Sequence, residues 1–170
     1  MEQEIKIAWS TPRTQQFDIR DFALEVLGIA KENLERDGEL LPSVFIVTGD
    51  SIQCAPIEFA DHEEKINIYH AVVELAKSQN AVALITVNSM FTDNNFTEDW
   101  LDSYYPGKLE AEGAGKCILI TVSGPGICNW CLELPYEHTT GGFKFSDISE
   151  ESAGELGFLE GWASEYPKIQ

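Results

Sequence analysis

Ser43-Val44-Phe45-Ile46-Val47-Thr48-Gly49-Asp50-Ser51-Ile52-Gln53-Cys54-Ala55-Pro56-Ile57 decides how this chain is read. Val44 to Thr48 is an almost unbroken apolar run of the kind that fills a strand covered on both faces. Gly49-Asp50 is a tight-turn pair, and Ser51 to Ile57 returns as a second, more mixed strand. Proline cannot donate to a strand ladder, so Pro56 places this second strand at a sheet edge. Asp61, with Glu64 three residues on, resembles a capping box and opens a helix that runs to about Asn80. Ile68, Val72, Leu75 and Ala76 form its buried stripe, widened by Ile66, Tyr69 and Val73. Ala81 to Val87 is then a third strand, again continuously apolar and so central.

Outward from this block, Asp18 is a good N-cap and Asp21 sits where the helix dipole favours a carboxylate. Phe22, Ala23, Val26, Leu27, Ala30 and Leu34 follow at helical spacing, and Gly38 can close the helix in a left-handed conformation. Ile5, Ile7 and Trp9 alternate with Lys6 and Ala8, which suits either a short edge strand or an arm lying on the body; Pro12 ends it.

Downstream, Ile118, Ile120 and Val122 share one strand face, and Cys128, Trp130, Leu132 and Leu134 share another. A three-residue loop, Gly124-Pro125-Gly126 with Gly126 left-handed, sets Ile120 opposite Trp130 and brings both apolar sets to one side. Phe143 to Phe145 is a further short strand. Leu156, Leu159, Trp162 and Tyr166 space the tail from Ser149 to Tyr166 as a helix, weakened by Gly154, Gly157 and Gly161.

The expected fold is therefore α+β, with α/β character, in one domain spanning residues 1–170. It has a mixed five-stranded sheet in the order 2-1-3-4-5 with flanking helices. The first and third strands run parallel through a right-handed crossover. That order matches the core of the deaminase-like and JAB-like folds, which by itself carries no function.

Length and an apolar fraction of 44% suit a single domain with a sizeable core. The net charge of −18, from 29 acidic and 11 basic residues, repels nucleic-acid phosphate and anionic membrane surfaces. Neither nucleic acid nor membrane is an expected partner; the charge reads first as a solubility device and, more sharply, as an acidic surface offered to a basic protein. The N-terminus lacks a basic segment followed by an apolar run, and no stretch nears the ~18 apolar residues of a spanning helix. Four cysteines are too sparse for a disulfide scaffold. These features point to the cytoplasm.

The motifs that hint at chemistry each fail on a required residue. In His62-Glu63-Glu64-Lys65-Ile66, Ile66 stands where a zinc-protease helix needs its second histidine. In His70-Ala71-Val72, Val72 stands where a zinc deaminase needs its glutamate. Cys128-Asn129-Trp130-Cys131 lies within a strand pattern, so its thiols point to opposite faces, and Cys131 shares the outer face with Cys117 as a diagonal neighbour. Gly113-Ala114-Gly115-Lys116 lacks the earlier phosphate-loop glycine, with Glu110 in its place, and precedes a strand. Ser123-Gly124-Pro125-Gly126 reads as a turn. No metal and no cofactor is expected.

From Asn88 to Gly115 the periodic pattern is lost. A stretch this long is commonly functional or disordered; its aromatic content argues against plain disorder, and its residue types suit protein recognition, with an inward-folded lid of Phe91, Phe96 and Trp100 over the core as the alternative. Its candidate binding residues are Phe91, Asp93, Phe96, Glu98, Asp99, Trp100, Asp102, Tyr104 and Tyr105. As a segment following the third strand it would emerge at that strand's carboxyl end, where ligands bind in open parallel sheets. The expected function is a non-catalytic binding or regulatory protein using this acidic aromatic segment. The alternatives are a hydrolase with an unassembled site and an acidic mimic of nucleic acid.

Asp37-Gly38-Glu39-Leu40-Leu41-Pro42, the paired strands, the helix after Phe59-Ala60-Asp61 and the strand Ala81 to Val87 together resemble a family of bacterial proteins of unknown function. The resemblance spans Asp18 to Leu134 and implies one domain without implying an activity. Members carry an acidic residue and a tryptophan just after the third strand, where this chain has Asn88-Ser89-Met90-Phe91.

Overall fold

Capping chemistry sets the two helices among the described residues. In α1 (Ile19–Asp37) the Asp18 carboxylate accepts from the Asp21 N–H at 2.9 Å, and Gly38 closes the far end at φ 80°. In α2 (His62–Ser78) the Asp61 carboxylate accepts from the Glu64 N–H, and the Glu64 carboxylate reaches back to the Ala60 N–H. Both helices thus satisfy backbone groups that a helix end leaves orphaned. The computed structural model describes residues 5–91, 116–125, 127–152, 159 and 162.

Among the described residues eight strands form one sheet: β1 (Trp9–Pro12), β2 (Ser43–Val47), β3 (Ser51–Pro56), β4 (Ala83–Phe91), β5 (Lys116–Gly124), β6 (Ile127–Thr139), β7 (Gly142–Phe145) and β8 (Ser149–Ser152). The order is β1-β3-β2-β4-β5-β6-β7. β6 is long enough for β8 to pair beside its Trp130–Glu133 half while β7 pairs beside Tyr136–Thr139. All of the described pairings are antiparallel.

This overturns the expected five-stranded mixed sheet in the order 2-1-3-4-5. The first and third expected strands, β2 and β4, are antiparallel neighbours, with Phe45 opposite Ile85. A crossover helix returns the chain parallel to the strand that feeds it. That strand is β3, because the Gly49-Asp50 turn has already reversed the chain. β3 and β4 therefore run the same way on either side of β2, and the parallel relation skips one strand. Nor is β3 an edge: β1 pairs along Ser51–Cys54, short of Pro56. Pro56 ends its strand without disturbing the ladder.

Strand alternation gives the sheet two different faces. Phe45, Val47, Ile85, Val87, Ile118, Ile120, Leu132 and Leu134 face α1 and its Ala23, Val26, Leu27, Ala30 and Leu34. Val44, Ile46, Ala55, Ile57 and Leu84 face α2 and its Ile68, Tyr69, Val72, Val73 and Ala76, together with Leu159 and Trp162. Trp162 has no exposed surface. Ser149 to Ser152 is β8, so the tail begins as a strand where helical spacing had been expected. Past Ser152 only Leu159 and Trp162 are described.

The β5–β6 hairpin keeps Ile118, Ile120, Val122, Trp130, Leu132 and Leu134 on one face and shifts the expected register, and the Cys128 side chain lies outside the described residues. Ile120 lies opposite Leu132 and Val122 opposite Trp130, two places from the expected pairing. Gly124 pairs with Ile127, so the connection has two residues, and an irregularity between Val122 and Gly124 absorbs the offset. Without such a bulge, a two-residue turn would carry Asn129 and Glu133 to the α1 face. Gly126 lies outside the described residues.

Candidate functional site

Among the expected binding residues, only Phe91 is described. It ends β4, with its backbone opposite Lys116 at the start of β5. β4 runs four residues past the expected end at Val87, because Asn88 to Phe91 continue in register with β5. Asp93, Phe96, Glu98, Asp99, Trp100, Asp102, Tyr104 and Tyr105 lie outside the described residues. The antiparallel sheet removes one expectation about them: neighbouring strands end at opposite sides, so no shared carboxyl edge marks the end of β4 as a ligand crevice.

The three cysteines among the described side chains, Cys54, Cys117 and Cys131, sit in unreactive surroundings. Burial pushes the Cys117 thiol up to about 11, with the Glu133 carboxylate and the Cys131 thiol adding to the effect. Cys131 is raised first by burial, then by Glu133 and Glu151, against a backbone hydrogen bond at Glu151. Burial also raises half-buried Cys54. A neutral thiol is a poor nucleophile and a poor metal ligand. The register shift also separates Cys117, opposite Pro135, from Cys131, opposite Thr121. They stand four positions apart along the ladder, where the expected register put them two apart as diagonal neighbours.

His62 and His70 are exposed on α2, and His138 stacks on Phe143 with ring centroids 4.4 Å apart. Among the described residues, no group of three His, Cys, Asp or Glu side chains is placed to hold a metal. No helix among them is long and apolar enough to cross a membrane.

Three side-chain pairs bond each other within or beside the core. The Thr86 and Thr121 hydroxyls bond each other across β4 and β5. The Tyr69 hydroxyl donates to Asn88 Oδ1 at 3.2 Å, and burial raises its pKa despite that bond. Ser89 and Tyr136 share a hydroxyl–hydroxyl bond of 2.6 Å.

Two open clefts adjoin at Ile19, beneath the N-terminal end of α1. One, of about 360 Å³, is lined by Ile19, Arg20, Trp130, Glu150, Glu151 and Ser152, with an exposed Arg20–Glu150 ion pair at its rim. The other, of about 380 Å³, lies against Val47, Val82, Ala83, Phe17 and Pro125, with Arg13 at its edge. Sequence reading missed both, because their walls come from segments far apart in the chain. One signal was present: from Ile5 to Phe17 there is no carboxylate and there are two cations, in a chain with 29 acidic residues.

No protein-family model, no curated protein and no solved structure matches this chain.

Proposed function

We propose that this is a cytoplasmic, non-catalytic binding protein that offers the segment from Phe91 to Tyr105 to a basic protein partner. The observation that carries the proposal is the pairing of Phe91 with Lys116. The segment between them leaves and re-enters the sheet at directly opposed positions, on the two strands that pair from Leu84 to Phe91. A recognition segment tethered at both ends to a rigid sheet loses less freedom on binding than a free one. Asp93, Glu98, Asp99 and Asp102 supply four carboxylates, and no Lys or Arg occurs between Lys77 and Lys108. Such a field steers a basic partner, and Trp100, Tyr104 and Tyr105 are residue types that dominate interface energetics. Cytoplasmic residence is in keeping with cysteines too few for a disulfide scaffold.

The test is capture from the native cell, with tagged wild-type protein, Trp100→Ala, and a variant with the four carboxylates changed to amides. Wild type should retain a stoichiometric basic protein at about 0.05 M salt and lose it near 0.5 M. Both variants should lose it while melting as wild type does. Capture that survives both changes refutes the proposal. So does a large fall in melting temperature for Trp100→Ala, since a buried tryptophan costs roughly 3–5 kcal/mol and would mark a core residue.

A further inference from the structure

Beyond that reading, and independent of it, we propose that the cleft beside Arg13 binds a small apolar monocarboxylate. Four stretches of chain meet there: Arg13 to Ile19 leading into α1, Val47 at the end of β2, Val82-Ala83 at the start of β4, and Pro125 in the β5–β6 turn. The Val82 N–H donates to the Val47 carbonyl at 2.7 Å, which fixes the floor. Phe17, Ile19, Val47, Val82, Ala83 and Pro125 are all apolar. Val82 is 40% exposed, although its neighbours Ala81 and Ala83 are buried, so the cleft opens to solvent over an apolar side chain. Apolar side chains set beside a few fixed polar groups, here Arg13 and Asp18, are the usual form of a small-molecule site. At ~30 Å³ per water, 380 Å³ holds about a dozen waters, or a ligand of similar heavy-atom count.

Arg13 supplies the charge and is already held in place. Its Nη1 donates to the Thr48 carbonyl at 2.9 Å, and its guanidinium lies 4.9 Å from the centre of the Phe17 ring. Among the described residues, no protein acceptor takes its other N–H groups. A guanidinium fixed by a carbonyl and a ring, with a free N–H edge, is matched by a carboxylate. Asp18 also lines the cleft, and its carboxylate is engaged in capping α1, where it accepts from the Asp21 N–H. The net charge of −18 disfavours polyanions such as nucleotides, whereas a single carboxylate meets the local cation at short range.

The probe is 3-phenylpropionate, followed by ¹H–¹⁵N NMR titration, with the neutral 3-phenylpropionamide as control. The expected result is saturable shifts of the Ile19, Val82 and Ala83 amides with Kd of about 1 mM, as befits a ligand this small. The amide control and Arg13→Gln should each weaken binding about tenfold, because both remove the charge-assisted bonds. Val82→Trp should fill the cleft from its exposed side and abolish binding with melting unchanged. Three results overturn the proposal: no saturation by about 10 mM, equal binding of acid and amide, or shifts that map away from these amides. Undiminished binding by Arg13→Gln overturns it too. If Arg13→Gln proves unstable, Val82→Trp decides, and undiminished binding there is equally fatal.

Discussion

Replacing Trp162 by alanine tests whether the end of the chain belongs to the core. Trp162 has no exposed surface and lies in the α2-side cluster with Val44, Ile46, Ile57, Tyr69 and Val72. A buried tryptophan removes some 150–250 Å² from water, or about 4–6 kcal/mol at 25 cal/mol per Å². The unfolded chain already shields part of that area, so the figure is an upper bound. Truncation of buried aromatics costs roughly 3–5 kcal/mol. At ~2.1 cal/mol/K per residue, 170 residues carry an unfolding entropy of about 0.36 kcal/mol/K. Trp162→Ala should therefore lower Tm by about 8–14 °C. Differential scanning calorimetry with parallel circular dichroism measures this, and Trp162→Phe should recover part of the loss. A shift below about 2 °C for Trp162→Ala, well outside the 3–5 kcal/mol expectation, would mean that the α2-side core is complete without the tail.

Two further outcomes follow from single residues. Gly38 closes α1 at φ 80°, where a side chain is strained, so Gly38→Ala should cost about 1 kcal/mol and lower Tm by about 2–4 °C; an unchanged Tm counts against the left-handed cap. Cys117 titrates near 11 in the native protein against 9.0 without perturbation, so the unfolded chain releases this proton first. Its contribution to stability is fully present below pH about 9 and is lost as pH rises towards about 11. Denaturant unfolding should show a steeper alkaline decline for wild type than for Cys117→Val, and parallel declines would refute the assignment.

Much of the local structure was legible because its causes are local. Asp18 and Asp61 accept from N–H groups three residues on. Gly38 and the turn at Gly49-Asp50 act within a few bonds of themselves. The stripe Ala23, Val26, Leu27, Ala30 and Leu34 is the buried face of α1, as helical spacing requires. Alternation likewise assigned Ile118, Ile120, Val122, Leu132 and Leu134 to one side of the sheet. The expected binding segment rested on composition, which names residue types that recognise proteins and places no atoms. The Arg13 cleft left only a faint trace, an acid-free stretch, because its apolar wall is assembled from Phe17, Val47, Val82 and Pro125.

The sequence by itself determined the capped start of α1 and of α2, the strands from Val44 to Val47 and from Ile118 to Val122, and most of the side chains that turn inward, though Ile66, expected on the buried face of α2, is exposed. Each of these depends on capping bonds, turn geometry or periodicity over a handful of residues. Only the tertiary structure decided that β4 lies antiparallel to β2, that β1 takes the free edge of β3, and that a bulge near Val122 re-registers β6 against β5. Those outcomes are non-local. A strand's hydrogen-bonding edge is nearly the same for every suitor, so its partner is settled by chain direction and by which apolar faces can be covered together.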